Sequence, residues 1–482
     1  MPRFILAFAF FLAASGPALA QTPVDLSLEE AIARARTDSE EVRLADSAVD
    51  AAETRITAAR SARLPQINAN TSYARTFQSP FTSGLEFVIP DDQRFDPNPS
   101  APLEQRVAYL ENNADKAVLT TIADLLSTSL RDVGLGSPHG YTVNLGGSQL
   151  LFSAGRVGAA VGMATNARDA ARFTAEDERT QVELDVRTAY FRAQLAERLE
   201  AAAEGALVQA ESFANQVRLR LKAGFAADLD VLRAEVSMEN LRPQLIAATN
   251  DRQLALLNLK RLVNIPLEQP VRLTTPLNIP AGAAEEDAPI ALDQAIERRA
   301  SVQAARRVVA VREDAVRAAR AQYRPSIALQ AAYGAQAFPP GLFDFGSTLW
   351  RPNGSATLAV QVPVFAGFQR SADVGNAEVE LRQAQLQVMQ LREAVALEYQ
   401  QARGERERAR ATIAAGQRTV EQAQRVYDLT VLRYEQGQAT LLEISDARLA
   451  LLQARTNLAQ ALADFHIATA AVRRALGLTT AP

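Results

Sequence analysis

The chain has 482 residues, with 51 basic against 55 acidic side chains and a formal charge of −4. That near balance argues against coating nucleic acid, which takes a concentrated basic surface. Cysteine is absent and only His139 and His466 carry imidazoles, which excludes disulfides, thiolate chemistry, an acyl-cysteine lipid anchor and a multi-histidine metal centre. Aromatic residues make up only 6%, and Arg, Glu and Gln stand among many Ala and Leu, the composition of long helices.

Arg3, the apolar run 4–14 and the small residues Ala18-Leu19-Ala20 predict a signal peptide over 1–20, cleaved after Ala20. Read instead as an uncleaved anchor, the run falls short of the ~20 residues a spanning helix needs. The mature chain is thus expected to be exported. No later stretch reaches spanning length without charge, so any crossing of a membrane would use strands.

A first copy of a repeat is expected over 21–264. Leu28, Ile32, Ala35, Val42, Ala45, Val49, Ala52, Ile56 and Ala59 mark one stripe of a helix over 28–62, which Pro65 stops. In a strand over 66–77, Ile67, Ala69, Thr71 and Tyr73 alternate with Gln66, Asn68, Asn70 and Ser72. An insertion over 78–140 follows, Pro-rich at its start, with a helix over about 103–130. The next strand, 141–152, sets Tyr141, Val143 and Leu145 against Thr142, Asn144, Gly146 and Ser148. From 156 to 263 a long helical hairpin meets breakers only around Gly224 and Pro243. Arms of roughly 50 to 60 residues would run roughly 75 to 90 Å.

A Pro- and Ala-rich linker over 265–290 leads to a second copy over 291–482. It repeats the helix, strands over about 326–337 and 355–365, and a helical hairpin from 369 to 476 that turns at Gly437. Its loop, 338–353, is much shorter than the insertion and holds Trp350, an expected interfacial anchor. Leu28-Glu-Glu-Ala-Ile32 recurs as Leu292-Asp-Gln-Ala-Ile296, and Pro65 and Tyr73 recur as Pro325 and Tyr333 at an offset of 260. Arg220-Leu-Lys-Ala-Gly224 recurs as Arg433-Tyr-Glu-Gln-Gly437 at an offset of 213, the difference lying in the insertion.

Four dyad-patterned strands of roughly ten residues fit a transmembrane barrel wall, apolar toward lipid and polar toward water. The same alternation would serve two half-buried hairpins of a soluble sandwich; export, strand length and tyrosines near strand ends weigh toward the barrel. Four strands cannot close a barrel, for which about eight are needed, so other copies of the chain must supply the rest.

With its duplicated plan, the prolines opening the first strand of each copy, the Leu-Phe-Ser-Ala-Gly and Val-Phe-Ala-Gly exits from strand into helix, and the turns 220–231 and 433–444, the mature chain resembles the TolC family of outer-membrane factors. The resemblance implies a mainly helical fold with four barrel strands per protomer, a homotrimer with one twelve-stranded barrel in outer-membrane lipid, and a hollow periplasmic tunnel of coiled helices. It further implies export from a periplasmic adaptor and an inner-membrane pump of RND, ABC or MFS type, with drug, metal or small-molecule efflux favoured over type I protein secretion. By the same resemblance Glu443 and Asp446 stand at an acidic entrance ring and Tyr434 helps close the entrance. Arg220, Gly224, Asp228, Asp230, Arg433 and Gly437 form the tip turns that an adaptor would contact. Some members carry arginine two residues after the second glycine; this chain has Ala439, which leaves its closing network unassigned.

The turn chemistry stands independently of the resemblance. Gly224 and Gly437 permit the left-handed backbone that ends a helix, and the acidic residues that follow favour the start of the next. No cofactor, metal or catalytic arrangement can be assembled, since neither histidine has ligand spacing and no phosphate-cradling loop occurs. His466 lies in the helical pattern, as a packing or lumen-facing residue. The rival reading is a secreted coiled-coil scaffold without transport activity.

Overall fold

The computed structural model describes residues 23–78, 89–132, 137–279, 292–339, 341–344 and 350–478. The expected signal peptide and part of the expected linker lie outside them. In chain order the first copy comprises β1 (Val24–Leu26), α1 (Leu28–Asp38), α2 (Glu40–Ser61), β2 (Gln66–Arg75), α3 (Leu103–Asn112), α4 (Ala114–Asp132), β3 (His139–Phe152), α5 (Arg156–Lys222), α6 (Asp228–Glu239) and α7 (Arg242–Leu262). Then come β4 (Val271–Leu273), α8 (Leu292–Arg298), α9 (Ala300–Ala321), β5 (Ser326–Ala337), β6 (Arg351–Gln361), α10 (Gln369–Glu435) and α11 (Leu441–Ala475). Among the described residues no helix is long and apolar enough to cross a membrane.

Two compact units emerge. One is helical and takes the chain up to Thr54, Thr165–Arg312 and everything from Glu380; the other takes Arg55–Ala164 and Glu313–Val379.

The helical unit corrects the expectation of one helix over 28–62. Ser39 adopts extended ψ 145 between α1 and α2, and its hydroxyl accepts from the Val42 N–H at 3.3 Å, capping the new helix start. The interruption recurs at Arg299 between α8 and α9, at the same offset of 260 residues. There the buried guanidinium meets Glu398 at 2.8 Å, and Arg474 closes on the same carboxylate at 2.6 Å. The long helices α5 and α10 each run 67 residues, beyond the arms expected from the sequence. Fully buried Tyr190 donates its hydroxyl to the Leu26 carbonyl and accepts the Thr275 N–H, both at 3.0 Å. One phenol on α5 thereby fastens both segments of the parallel β1–β4 pair, which joins Val24 to Val271.

In the other unit β2, β3, β5 and β6 form one antiparallel sheet in that order. Its register gathers the four apolar sets onto one face: Ala69 pairs with Leu145 and Leu145 with Tyr333, while Leu329 pairs with Leu358 and Ile327 with Val360. The opposite face collects rows such as Gln66, Ser148, Gln330 and Thr357. Ile67, Leu145, Tyr333 and Leu358 are all exposed, so no core among the described residues covers the apolar face.

Strand limits differ from those read off the sequence. β6 is paired from Arg351 to Gln361 rather than over 355–365, because it answers β5 from Gln336 back to Ser326. Pro363, which has no N–H for a ladder, leaves Val362, Val364 and Phe365 outside the strand and exposed. β2 stops at Arg75 and β3 starts at His139, whose Nδ1 lies 2.9 Å from the Tyr73 hydroxyl. The expected insertion helix is split at Asn113 into α3 and α4.

Two glycines mark close approaches in this unit. A Cβ at Gly334 on β5 would overlap the Val143 carbonyl oxygen and lie 3.1 Å from the Asn144 Cα. At Gly162 it would sit 2.6 Å from the Asp314 carboxylate, itself buried and paired with Arg317. Gly162→Leu is expected to force α5 from Asp314 and destabilise the protein by about 1 to 3 kcal/mol, measured as a lowered unfolding midpoint; Gly158→Ala, nearest to the flexible end of Arg63 at 3.7 Å, is the neutral control.

Candidate functional site

The candidate site is the pair of helix turns α5–α6 and α10–α11. Both end their long helix alike. Gly224 (φ +79) donates to the Leu221 carbonyl at 2.9 Å and Phe225 to that of Arg220 at 2.8 Å; Gly437 (φ +73) donates to Tyr434 at 2.9 Å and Gln438 to Arg433 at 2.8 Å. These paired bonds take up carbonyls that a helix end leaves free, and the positive φ explains glycine at the same place in each copy.

The two helix starts are built differently. Asp228 and Asp230 are the first and third residues of α6, and the Asp230 carboxylate reaches back to accept the Ala227 N–H at 3.3 Å. Ala227 has no side-chain oxygen to return the bond, so this is half a capping box. At α11 the box is complete: Thr440 accepts the Glu443 N–H at 3.3 Å, and Glu443 accepts the Thr440 N–H at 2.6 Å. Asp446 is exposed and six residues into α11, beyond the turn in which the helix dipole is felt. The helix dipole therefore favours the Glu443 carboxylate and leaves Asp446 outside its reach.

Those bonds govern titration. The Thr440 backbone N–H, and after it the Thr440 hydroxyl and Arg433, hold the Glu443 carboxyl below its ordinary range against a smaller opposing effect of desolvation. A depressed folded-state pKa contributes order above the ordinary carboxylate value of about 4.3 and loses it as pH falls through the folded value. In an acid titration the Thr440 amide resonance is expected to move with a midpoint below that of an unperturbed glutamate, and Glu443→Gln to abolish the movement.

Tyr434 joins the turns. The Arg220 guanidinium lies 5.0 Å from the centre of its ring and donates to the Tyr434 carbonyl at 3.0 Å. The ring's other neighbour is Phe213, centre to centre 5.2 Å, within a small apolar core that includes Val217, Ala234 and Ile444. Burial raises the Tyr434 phenol above its ordinary pKa; Arg220 opposes that and Asp230 adds to it. The phenol stays neutral at any physiological pH.

The structure thus brings together Arg220, Tyr434 and Asp230, and places Arg433 near Glu443. Arg433 itself is exposed and donates to the Gln438 carbonyl at 3.3 Å. Sequence reasoning missed Thr440, although Thr440-Leu-Leu-Glu443 is a legible capping signature. It also missed Arg448, a buried arginine on α11 that donates to the Ser237 hydroxyl; burial lowers its pKa, and Tyr427 pulls the other way. His466, for which packing and lumen-facing readings stood open, is half-buried and stacked on Phe191 at 4.2 Å, with Nε2 2.9 Å from the Asn278 carbonyl. Among the described residues no cluster of His, Cys, Asp and Glu could hold a metal.

The family described as outer membrane efflux protein matches residues 31–264 and 291–478, one stretch in each copy of the repeat. The chain belongs to that family. Outer membrane efflux proteins are non-enzymatic channels of the Gram-negative outer membrane. Outer membrane efflux protein BepC of Brucella suis is 29% identical over 127 residues, 26% of this chain; the match spans only 28% of BepC's own length. In fold the chain is similar to the CmeC outer membrane channel of Campylobacter jejuni, with TM-score 0.70, 16% identity, and 93% of this chain and 85% of that one covered. It is also similar to the open state of the MtrE outer membrane channel of Neisseria gonorrhoeae, with TM-score 0.67, 20% identity, and 93% and 88% covered.

Proposed function

We propose that three copies of this outer membrane efflux protein close one twelve-stranded barrel and that the chain is the outer-membrane exit duct of a tripartite efflux system. The observation that carries the proposal is the four-stranded sheet, with an exposed apolar face, a polar face and two open edges, β2 and β6. In hydrocarbon each unpaired peptide group costs several kcal/mol, so β2 of one copy must pair with β6 of the next. Trimeric assembly in the family, and the efflux named for BepC, support the reading. Energy would come from an inner-membrane pump of RND, ABC or MFS type through a periplasmic adaptor. Small molecules, drugs or metals are the favoured cargo, with type I protein secretion as the other use of such a conduit.

At the turns, threefold symmetry would convert Glu443 and Asp446 into rings of three carboxylates that concentrate field on the axis. The adaptor would meet the turns around Gly224 and Gly437, with Arg220, Asp228, Asp230 and Arg433 as polar rim and exposed Phe225 as an apolar anchor. Purification from outer membranes, trimer mass and single-channel current test the assembly; a stable monomer in plain buffer overturns it. Glu443→Ala with Asp446→Ala is expected to weaken cation preference, read as a reversal potential shifted toward zero in a salt gradient, and to weaken block by polyvalent cations. Unchanged selectivity and block would remove the ring assignment.

A further inference from the structure

The insertion carries a surface that the channel function does not use. Its α3–α4 pair is covered on one side by the chain's own residues 91–102. The Lys116 ammonium donates to the Asp92 carbonyl at 2.8 Å, the Phe95 N–H to the Thr120 hydroxyl at 3.1 Å, and the Phe95 ring lies 5.6 Å from that of Tyr109. Lys116, Thr120 and the buried Ala123 accordingly form the sheltered stripe of α4, at helical spacing.

Among the described residues, the opposite side of α4 is uncovered and apolar. Val118, Leu119, Ile122, Leu125 and Leu126 are all exposed, Leu125 to 67%, and they recur at the spacing of a helix seam that meets another helix. On α3, Leu103, Val107 and Leu110 continue the pattern at intervals of four and three. A helix face this apolar, without charge on its stripe, marks an interaction site.

We propose that the α3–α4 insertions of the three copies pack on one another through this face, forming a helical collar at the end of the barrel marked by the Arg75–His139 rung. The inference rests on the trimeric reading above. Continuity with the seam selects the occupant: the insertion springs from β2, whose last rung pairs Arg75 with His139, and β2 is the sheet edge that must meet the next copy. Insertions rooted beside each seam are held at high effective concentration, which favours even a modest apolar contact. Composition speaks against lipid as the cover. Residues 78–140 hold nine acidic and four basic side chains, a net negative charge that an anionic headgroup surface repels.

The native chain has no cysteine, so thiols report cleanly on contacts between copies. Single substitutions Val118→Cys, Ile122→Cys and Leu126→Cys, with Thr120→Cys on the sheltered stripe as reference, would be made in the full chain, treated in outer-membrane vesicles with a short bis-maleimide, and purified. The exposed positions tolerate cysteine without disturbing a core. Expected is about tenfold more cross-linked dimer from the bare-face positions than from Thr120→Cys, as one helix face makes the contact and the other does not. An intact trimer by mass with no cross-linking, with cross-linking equal at Thr120→Cys, or with bare-face thiols buried in lipid overturns the collar alone. Monomeric mass for the unmodified protein overturns the collar and the trimeric channel together.

Discussion

A Gly334→Val protein is expected to yield at least about tenfold less assembled channel in outer membranes than the native chain. The side chain would enter the space held by the Val143 carbonyl and press on the Asn144 Cα, both backbone atoms of the paired strand β3. A flexible side chain could swing aside; a ladder carbonyl cannot move without breaking the Asn144↔Gly334 rung and its neighbours. Overpacking costs about 1 to 3 kcal/mol where side chains yield, and backbone resistance places this site at or above the upper end. Gly146→Ala on the same sheet is the control, because its nearest atom lies at 4.0 Å and nothing has to shift. Quantifying the trimer extracted from outer membranes by native gel separates the two. Equal yields from both variants would show that the register through Gly334 is wrong.

The second large effect is expected at the turns. Arg220→Ala removes the bond to the Tyr434 carbonyl and the cation over its ring. Charged hydrogen bonds contribute about 1.5 to 3 kcal/mol, and a partly desolvated cation–π contact about 1 kcal/mol. Discounted for the exposure of this corner, some 2 kcal/mol of tethering between α5 and α10 is lost, and the population of opened turns should rise about thirtyfold. In reconstituted channels this reads as a higher open probability at unchanged cation preference. The accepting atom is a backbone oxygen, so Tyr434→Phe should keep nearly native gating, whereas Tyr434→Leu, which deletes the ring, should act with Arg220→Ala and add little to it. Full additivity of Arg220→Ala and Tyr434→Leu would show that the two side chains do not act as a unit.

Neither effect is readable from one stretch of sequence. The glycines of the turns were, because a helix that must reverse needs φ > 0 where it ends, and that requirement is local. So was the alternation in β2, β3 and β5, which sorts apolar from polar residues two at a time. The start of β6 is hidden in the sequence because Asn353-Gly354 carries turn chemistry, yet it is held in a strand by β5, where Gly354 faces Tyr333. The interruption of the 28–62 helix at Ser39 is hidden because the apolar stripe continues in phase across it. The break is visible only in Ser39's extended backbone and in its counterpart Arg299, paired with Glu398 on α10, which also holds Arg474 of α11.

Sequence by itself determined the duplicated plan, the helical and stranded segments, the glycine turns and the family, since periodicity and turn preference act between near neighbours. Tertiary structure alone decided the register that puts four apolar strand faces on one side of a sheet. It alone seated Arg220 on a tyrosine 214 residues away, and it alone joined Arg448 to Ser237. Such partners are chosen by packing and hydrogen-bond geometry across the fold, which spacing along a chain does not encode.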